Sequence, residues 1–382
     1  MIMVNLPNAG VDYHVPFGCR KASSFGPRGQ GQHAQVFFPA RSRKPTKGKS
    51  MEPVRWGILS TAAIATQKVI PGMLKSTELV VAGLASRDLD RAQAVAGDLG
   101  IPRVYGSYET MLADPTIEAV YNPLPNHLHV PLTLAAAQAG KHVLCEKPMA
   151  LHAPELEALR PFAGKVHIAE AFMVRHHPQW IAARECVRSG EIGDLRSIQV
   201  TFSYFNADPS NIRNRADIGG GALYDIGCYA IVAGRWFFEC EVQRAIASMD
   251  IDGAFGTDRC TSGLLDFGNG RHLDFWVSTQ AAPFQRVTLV GTRKRLEIMV
   301  PFNAPQDRPC RYAIDDGSAL DGSSQVVTTL DAADQYRLQA EAFSRAIRTQ
   351  TPDTTALDDA IWNSRTLDAL LVSAQSRSFA RP

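Results

Sequence analysis

The apolar positions of this chain fall into two regimes that meet near Glu185. From Glu52 to about Lys147, short apolar runs of strand length alternate with stretches of helical spacing. Val54, Trp56, Ile58 and Leu59 form the first run. Leu79–Ala85, Ala119–Asn122 and His142–Cys145 follow as strands, and Val166–Ala169 extends the series. Helical spacing starts at Ala62 and recurs over Leu89–Leu99 and Pro154–Phe162. It also covers Val130–Ala139, where Gly140 supplies the stop. Repeated strand–helix units predict a parallel sheet with helices on both faces, a doubly wound α/β fold.

Beyond that point period-two alternation takes over, in Leu195–Phe205, Val242–Asp250, Cys260–Phe267, His272–Thr279, Arg286–Val290 and Arg295–Val300. Alternation buries one face and exposes the other, which predicts a large, mostly antiparallel open-faced sheet backed by helices on one side, an α+β domain. Phe267-Gly268-Asn269-Gly270 between two of these runs is a hairpin signal, because Asn-Gly supplies positive φ. Residues 303–330 predict irregular chain, with Pro305, Pro309 and an acidic Gly/Ser-rich stretch. Helices are expected over Asp334–Thr349 and Leu357–Ser373, the first presenting Tyr336, Ala340 and Phe343 as core contacts. The expected divisions are an extension over 1–50, a first domain over 51–172, a second over 173–360 and a C-terminal helix over 361–382.

Composition narrows the function classes. A length of 382 residues suits two or three domains, and no apolar run approaches the roughly 20 residues a membrane span needs. Residues 1–50 hold eight Lys/Arg against the single acid Asp12, for +7, whereas the remainder holds 32 bases against 37 acids, for −5. The basic stretch has no helical or strand period and is read as disordered, with Met51 as the functional start and a transit peptide as the alternative. The mildly acidic remainder argues against nucleic acid as a partner. Seven scattered cysteines without a C-x-x-C pair argue against a disulfide framework or zinc site and for the cytoplasm. His127 and His129 have no acidic cluster near them, so no metal site is expected.

The chemistry concentrates where the first strand turns into the first helix, in V-R-W-G-I-L-S-T-A-A-I-A from Val54 to Ala65. A tight strand-to-helix turn aims free backbone N–H groups and the positive helix end at one point, which suits a pyrophosphate. Gly57, Ser60 and Ala63 follow the small-residue logic of the dinucleotide fingerprint, with Gly57 permitting the turn. The second strand ends Ser86-Arg87-Asp88, with Arg91 a turn further on. A hydroxyl and a guanidinium at that end suit the 2′-phosphate of NADP; in the alternative, Arg87 and Arg91 are solvated and Asp88 grips the ribose of NAD.

Two further stretches carry a resemblance: Cys145-Glu146-Lys147-Pro148 at a strand end, and Gly219-Gly220-Gly221-Ala222-Leu223-Tyr224-Asp225-Ile226-Gly227-Cys228-Tyr229 opening a helix. With the first turn they resemble the glucose–fructose oxidoreductase / inositol dehydrogenase (Gfo/Idh/MocA) family over about residues 52–380. Pro123-Leu124-Pro125-Asn126-His127-Leu128-His129 and Asn211-Ile212-Arg213 are similar to its dimeric dihydrodiol dehydrogenase and NADP-dependent D-xylose dehydrogenase branch. The resemblance implies an N-terminal Rossmann domain, a C-terminal α/β domain whose open sheet makes homodimers, and a sugar, polyol or cyclic diol as substrate. It implies that Lys147 lies at the nicotinamide and the substrate hydroxyl, that Asp225 orients substrate and that Tyr229 transfers the proton. Gly57, Ser60, Ala62, Ala63 and Ile64 would hold the pyrophosphate, Ser86 and Arg87 the 2′-phosphate, and Pro123, Asn126 and Glu146 the nicotinamide end.

Arg175 and His177 leave the sheet at its carboxyl edge, where open α/β folds bind ligands, and are candidates for cofactor and substrate respectively. Asn211 and Arg213 are candidates for substrate. A free phenol titrates near pKa ~10, so the expectation is that Lys147 lowers the Tyr229 value and favours the phenolate as base. Two other classes stay open: a non-catalytic NAD(P)-binding sensor, and an oxidoreductase that retains NADP and shuttles hydride between two sugars.

Overall fold

The computed structural model describes residues 52–349 and 355–382. The expected extension and the Met51 start therefore lie outside the described residues. Six parallel strands build the first sheet: β1 (Val54–Leu59), β2 (Leu79–Ala85), β3 (Val104–Tyr105), β4 (Ala119–Asn122), β5 (His142–Cys145) and β6 (Ile168–Glu170), in the order β3-β2-β1-β4-β5-β6. The helices between them are α1 (63–73), α2 (Leu89–Leu99), α3 (Tyr108–Ala113) and α4 (His129–Gln138). Strand order reverses between β1 and β4, so the chains leaving Leu59 and Asn122 diverge and open a crevice at the carboxyl edge. Core side chains fill both sides of the sheet, Trp56, Ile58 and Leu84 among them.

After α5 (Pro178–Arg188) comes β7 (Leu195–Phe205), then α6 (Cys228–Phe238), and then β8 (Arg244–Ile251), β9 (Asp258–Asp266), β10 (His272–Ser278), β11 (Gln280–Gly291) and β12 (Arg295–Ile298). With β13 (Cys310–Asp315) and β14 (Val326–Leu330) they form an eight-stranded sheet ordered β14-β13-β12-β11-β7-β10-β9-β8. Every pair is antiparallel except β7 with β10. Ile198, Val200 and Phe202 of β7 point to the helix-covered face, while Gln199 and the Trp276 side of β10 stay open. The Asn-Gly hairpin joins β9 to β10, with Asn269 at φ 54°.

Two local expectations fail and two helices went unread, for physical reasons. Residues 303–330 hold two strands: Cys310, Tyr312 and Ile314 alternate, and Val326–Leu330 is largely β-branched, but flanking Pro, Gly and acidic residues masked both. Two helices carried no strong period, Tyr108–Ala113 because it is short and Pro178–Arg188 because its start is set by Pro178 behind a His177 cap. The run Ala153–Phe162 is wound as a 3₁₀ helix, with Pro154 and Pro161 inside it.

The chain's end returns to the first sheet. In α7 (Gln335–Thr349), Ser344 accepts a hydrogen bond from the Trp56 indole at 3.1 Å, and Arg348 pairs with Glu118 at 2.7 Å. The last helix, α8, runs unbroken over Thr355–Ser376, so a division at 360 would cut through it. Among the described residues no helix is long and apolar enough to cross a membrane.

Candidate active site

The crevice between β1 and β4 is a cleft of about 870 Å³, lined on one side by Ser60–Ile64 and Ser86–Asp88 with Arg91 and on the other by Asp208 and Ser210–Arg213. Ser60 stands at φ 119°, a conformation that favours glycine, which accounts for the glycine of the fingerprint at that step. Its hydroxyl accepts from the Ala62 N–H at 3.1 Å, just ahead of the helix that follows. Ser60–Ile64, where this helix begins, line the cleft, and a helix start is a setting that fits phosphate oxygens. Gly57 plays a different part from the one expected. It sits inside β1 away from the cleft, and a Cβ there would stand 2.7 Å from Met111 Sδ, so it serves the packing of α3 rather than the turn.

At the end of β2, the Ser86 hydroxyl accepts from the Asp88 N–H at 3.1 Å. The Asp88 carboxylate is engaged as the cap of α2, accepting from the Arg91 N–H at 3.0 Å. Arg91 reaches back to the Thr61 carbonyl at 3.3 Å.

The cleft continues into a cavity of about 320 Å³ that shares Ile64, Pro123 and Arg213 with it. Asn126, Glu146, Lys147, Asp225 and Tyr229 line this cavity. Thus a strand end from the first sheet and a helix start from the second meet across one space. The Lys147 ammonium lies 3.5 Å from Asp225 Oδ1, donates to the Asp225 carbonyl and stands 4.8 Å from the centre of the Tyr229 ring. Asp225 also takes Arg213 Nε at 2.9 Å and the Tyr204 hydroxyl at 2.6 Å. Burial alone would raise the Asp225 carboxyl, but Arg213 and Lys147 outweigh it and hold it well below the usual carboxylate range. Burial likewise works against the Lys147 ammonium, and Asp225 outweighs it, so its pKa is raised. Glu146 accepts from the Tyr121 hydroxyl at 2.5 Å, and burial raises its pKa. Asn126 Nδ2 donates to the Gly219 carbonyl at 2.8 Å, tying the two lobes beside the cavity.

The expected phenolate is not found. Burial pushes the Tyr229 phenol well above its ordinary value, and Tyr336 and Glu146 add to the rise. The ammonium stands over the ring, and the phenol donates its hydrogen bond to Met173 Sδ at 3.6 Å. Lys147 and Tyr229 thus both hold their protons more firmly than the free side chains do.

Other expected residues land elsewhere. Asn211 lines the cleft, not the cavity, its Oδ1 accepting from the Arg213 N–H at 3.1 Å. Arg175 faces neither: the chain turns back over Met173–His176 and sends it into a separate cavity, paired with Asp359 and 5.8 Å from the Trp236 ring. His177 is fully buried and caps α5, its Nδ1 accepting from the Gln179 N–H at 3.2 Å. Tyr204 escaped notice, although alternation along β7 puts it on the same face as Val200 and Phe202. Tyr336, expected as core, is both buried and part of the cavity wall.

The Lys147 loop is braced from below by Glu170. Its Oε1 accepts from the Met149 N–H and its Oε2 from Asn363 Nδ2, both at 2.8 Å. Burial raises this carboxyl to about 7. A group whose native pKa exceeds its unfolded value makes the native state bind more protons, so its contribution to stability falls as pH rises toward that value. In urea titrations at pH values between about 5 and 7, the stability difference between wild type and Glu170→Gln is expected to shift toward the variant as pH rises. A pH-independent difference would contradict this.

Comparison with known proteins accords with this geometry. Residues 54–169 match the oxidoreductase family with NAD-binding Rossmann fold, and residues 180–297 match the GFO/IDH/MocA C-terminal domain. An uncharacterized oxidoreductase of Rhizobium meliloti is 50% identical over 328 residues, 85% of this chain and 98% of the relative. The chain belongs to the Gfo/Idh/MocA family. This Gfo/Idh/MocA protein is accordingly an NAD(P)-dependent dehydrogenase acting on CH–OH groups, with a parallel Rossmann sheet and a second, mostly antiparallel one. It is 38% identical to D-xylose 1-dehydrogenase (NADP(+)) 2 of Haloferax volcanii, over 84% of this chain and 97% of that one. Among solved structures it is similar to a 3-ketoreductase from Actinomadura kijaniata in complex with NADP and TDP-benzene. That match has a TM-score of 0.78 at 28% identity and covers 84% of this chain and 98% of that one.

Proposed function

We propose that this dehydrogenase is NADP-dependent and interconverts a hydroxyl of a sugar, polyol or cyclic diol with its carbonyl, with Lys147 and Tyr229 as the proton-transfer pair. One observation carries the reading: Lys147 from the end of β5 and Asp225 and Tyr229 from the start of α6 line one cavity, and it opens into a cleft suited to a dinucleotide. When bound, the cofactor supplies the hydride acceptor or donor at the reacting carbon. The Lys147 ammonium, kept charged by Asp225, stabilises the developing alkoxide. Tyr229, holding its proton firmly, donates it to that oxygen in carbonyl reduction and has to give it up before it can act as base in oxidation. Asp225, fixed by Lys147, Arg213 and Tyr204, orients further substrate hydroxyls. A cavity near the lower end of the usual ligand-pocket range suits a monosaccharide or small diol, and the D-xylose dehydrogenase and 3-ketoreductase relatives support that class.

NADP is favoured over NAD because Ser86 and Arg87 line the adenosine end while Asp88 is engaged as a helix cap. A substrate panel of aldoses, polyols and diols with each cofactor tests the function. Replacing Arg87 by Ala is expected to cost about 1.5–3 kcal/mol in transition-state binding with NADP, roughly ten- to a hundredfold in kcat/KM, with little change for NAD. An equal loss with both cofactors would contradict the assignment. The same reading includes a homodimer through the open face of the second sheet, supported by exposed Trp276 and Phe284 there; a solution mass of a single chain by light scattering would remove it. It also includes the cytoplasm, supported by six unpaired cysteines among the described residues and checked by cell fractionation.

A further inference from the structure

The helix start that carries Asp225 and Tyr229 is anchored from a strand that touches neither cavity nor cleft. Asp258, the first residue of β9, is buried. Its Oδ2 accepts the Leu223 N–H at 2.8 Å and the Thr261 hydroxyl at 2.5 Å. Leu223 opens the wide turn Leu223–Gly227, which contains Asp225 and runs directly into α6 with Tyr229. The first amides of a helix have no partner within it, and a carboxylate there meets both the free N–H groups and the positive end of the dipole. No residue of the turn itself supplies this cap.

The third glycine of the Gly-Gly-Gly run fits the same contact. Gly221 stands at φ 115°, and a Cβ on it would lie 2.0 Å from Asp258 Oδ1. The carboxylate thus fills the space that any other side chain at 221 would claim. Gly220 is equally constrained, because a Cβ there would lie 2.5 Å from the Arg213 carbonyl, fixing the turn against the segment that supplies Arg213. The anchor and the glycines together define where the turn begins.

We propose that Asp258 is a positioning residue for the reaction: it fixes the start of the turn that carries Asp225 and Tyr229 and so keeps both aimed at Lys147. The inference rests on the reading that Asp225 and Tyr229 serve the reaction, but its structural half is independent of it. A misplacement of about 1 Å at a reacting group costs on the order of a hundredfold in rate.

The test compares Asp258→Ala, Asp258→Ser and Asp258→Asn. Ala and Ser cannot reach the Leu223 amide, whereas the Asn oxygen can accept from it. Ala and Ser are expected to lower kcat by about ten- to a hundredfold, with the NADPH dissociation constant by fluorescence unchanged within about twofold. Asn is expected to restore kcat to within about threefold. Should Ala not fold, Ser carries the comparison. Crystal structures of the variants give a readout that needs no turnover: in Ser or Ala, Asp225 is expected to leave its contacts with Lys147 and Arg213, and in Asn to keep them. An unmoved turn with full kcat in Ala or Ser overturns the proposal. So does an Asn variant as impaired as Ala, or loss of NADPH binding in step with kcat. A displaced turn together with unchanged turnover would spare the anchor and sink the catalytic reading instead.

Discussion

Replacement of Lys147 by Met is expected to lower kcat by about a hundred- to a thousandfold, while NADPH binding stays within a few-fold of wild type. In the proposed mechanism the ammonium meets charge developing on a substrate oxygen, and removing one such preorganised donor costs about that factor. The fold should tolerate the change. Asp225 keeps Arg213 at 2.9 Å and Tyr204 at 2.6 Å, so its carboxylate is not left buried and alone. The cleft proposed for the cofactor is lined by Ser60–Ile64 and Ser86–Asp88, and Lys147 does not line it. Stopped-flow reduction and a fluorescence titration separate the two effects. A variant with normal kcat, or one that loses NADPH binding in proportion to rate, would deny Lys147 a part in the chemistry.

Replacement of Tyr229 by Phe is expected to cost roughly 10²–10⁴ in rate, the range for a positioned acid or base. Little stability should be lost with it. The ring keeps its contacts with Phe172, Phe202 and Phe302 at centroid distances of 5.5, 5.8 and 5.1 Å, and the hydrogen bond removed, among the described residues, is the one to Met173 Sδ. The raised pKa fixes the sign of the pH dependence. A proton donor works while protonated, so carbonyl reduction by the wild type should be flat through neutral pH. Oxidation needs the deprotonated form and should climb as pH rises. A Phe variant with normal turnover would contradict the assignment, as would an oxidation rate that falls with rising pH.

Much of the arrangement was legible in the chain. The apolar runs of β1, β2, β4 and β5 and the period-two runs of the second sheet carry their own periodicity, and the hairpin at Asn269 announces itself through its glycines. Glu146-Lys147-Pro148 and the Gly-Gly-Gly turn were visible because short, fixed spacings survive in sequence. What escaped depends on three-dimensional placement. Arg175 and His177 follow a strand at the correct edge of the sheet, yet one 3₁₀ turn sends one to a different cavity and the other into the core. Tyr204 looked like any inward residue of a strand until the cavity gave its hydroxyl a partner. The phenol of Tyr229 shifts opposite to expectation because burial, which sequence does not report, raises its pKa. Gly57 was misread for a similar reason, its missing Cβ answering to Met111 from a helix too short to leave a period.

The most direct test is formation of reduced nicotinamide, followed by absorbance, when NADP is mixed with a panel of aldoses, polyols and cyclic diols and either the wild type or Lys147→Met. The account predicts turnover of at least one panel member by the wild type and near-complete loss in the variant, with both proteins binding NADPH. Equal turnover by the two proteins would contradict it, and so would a wild type that binds NADPH yet turns over nothing in the panel.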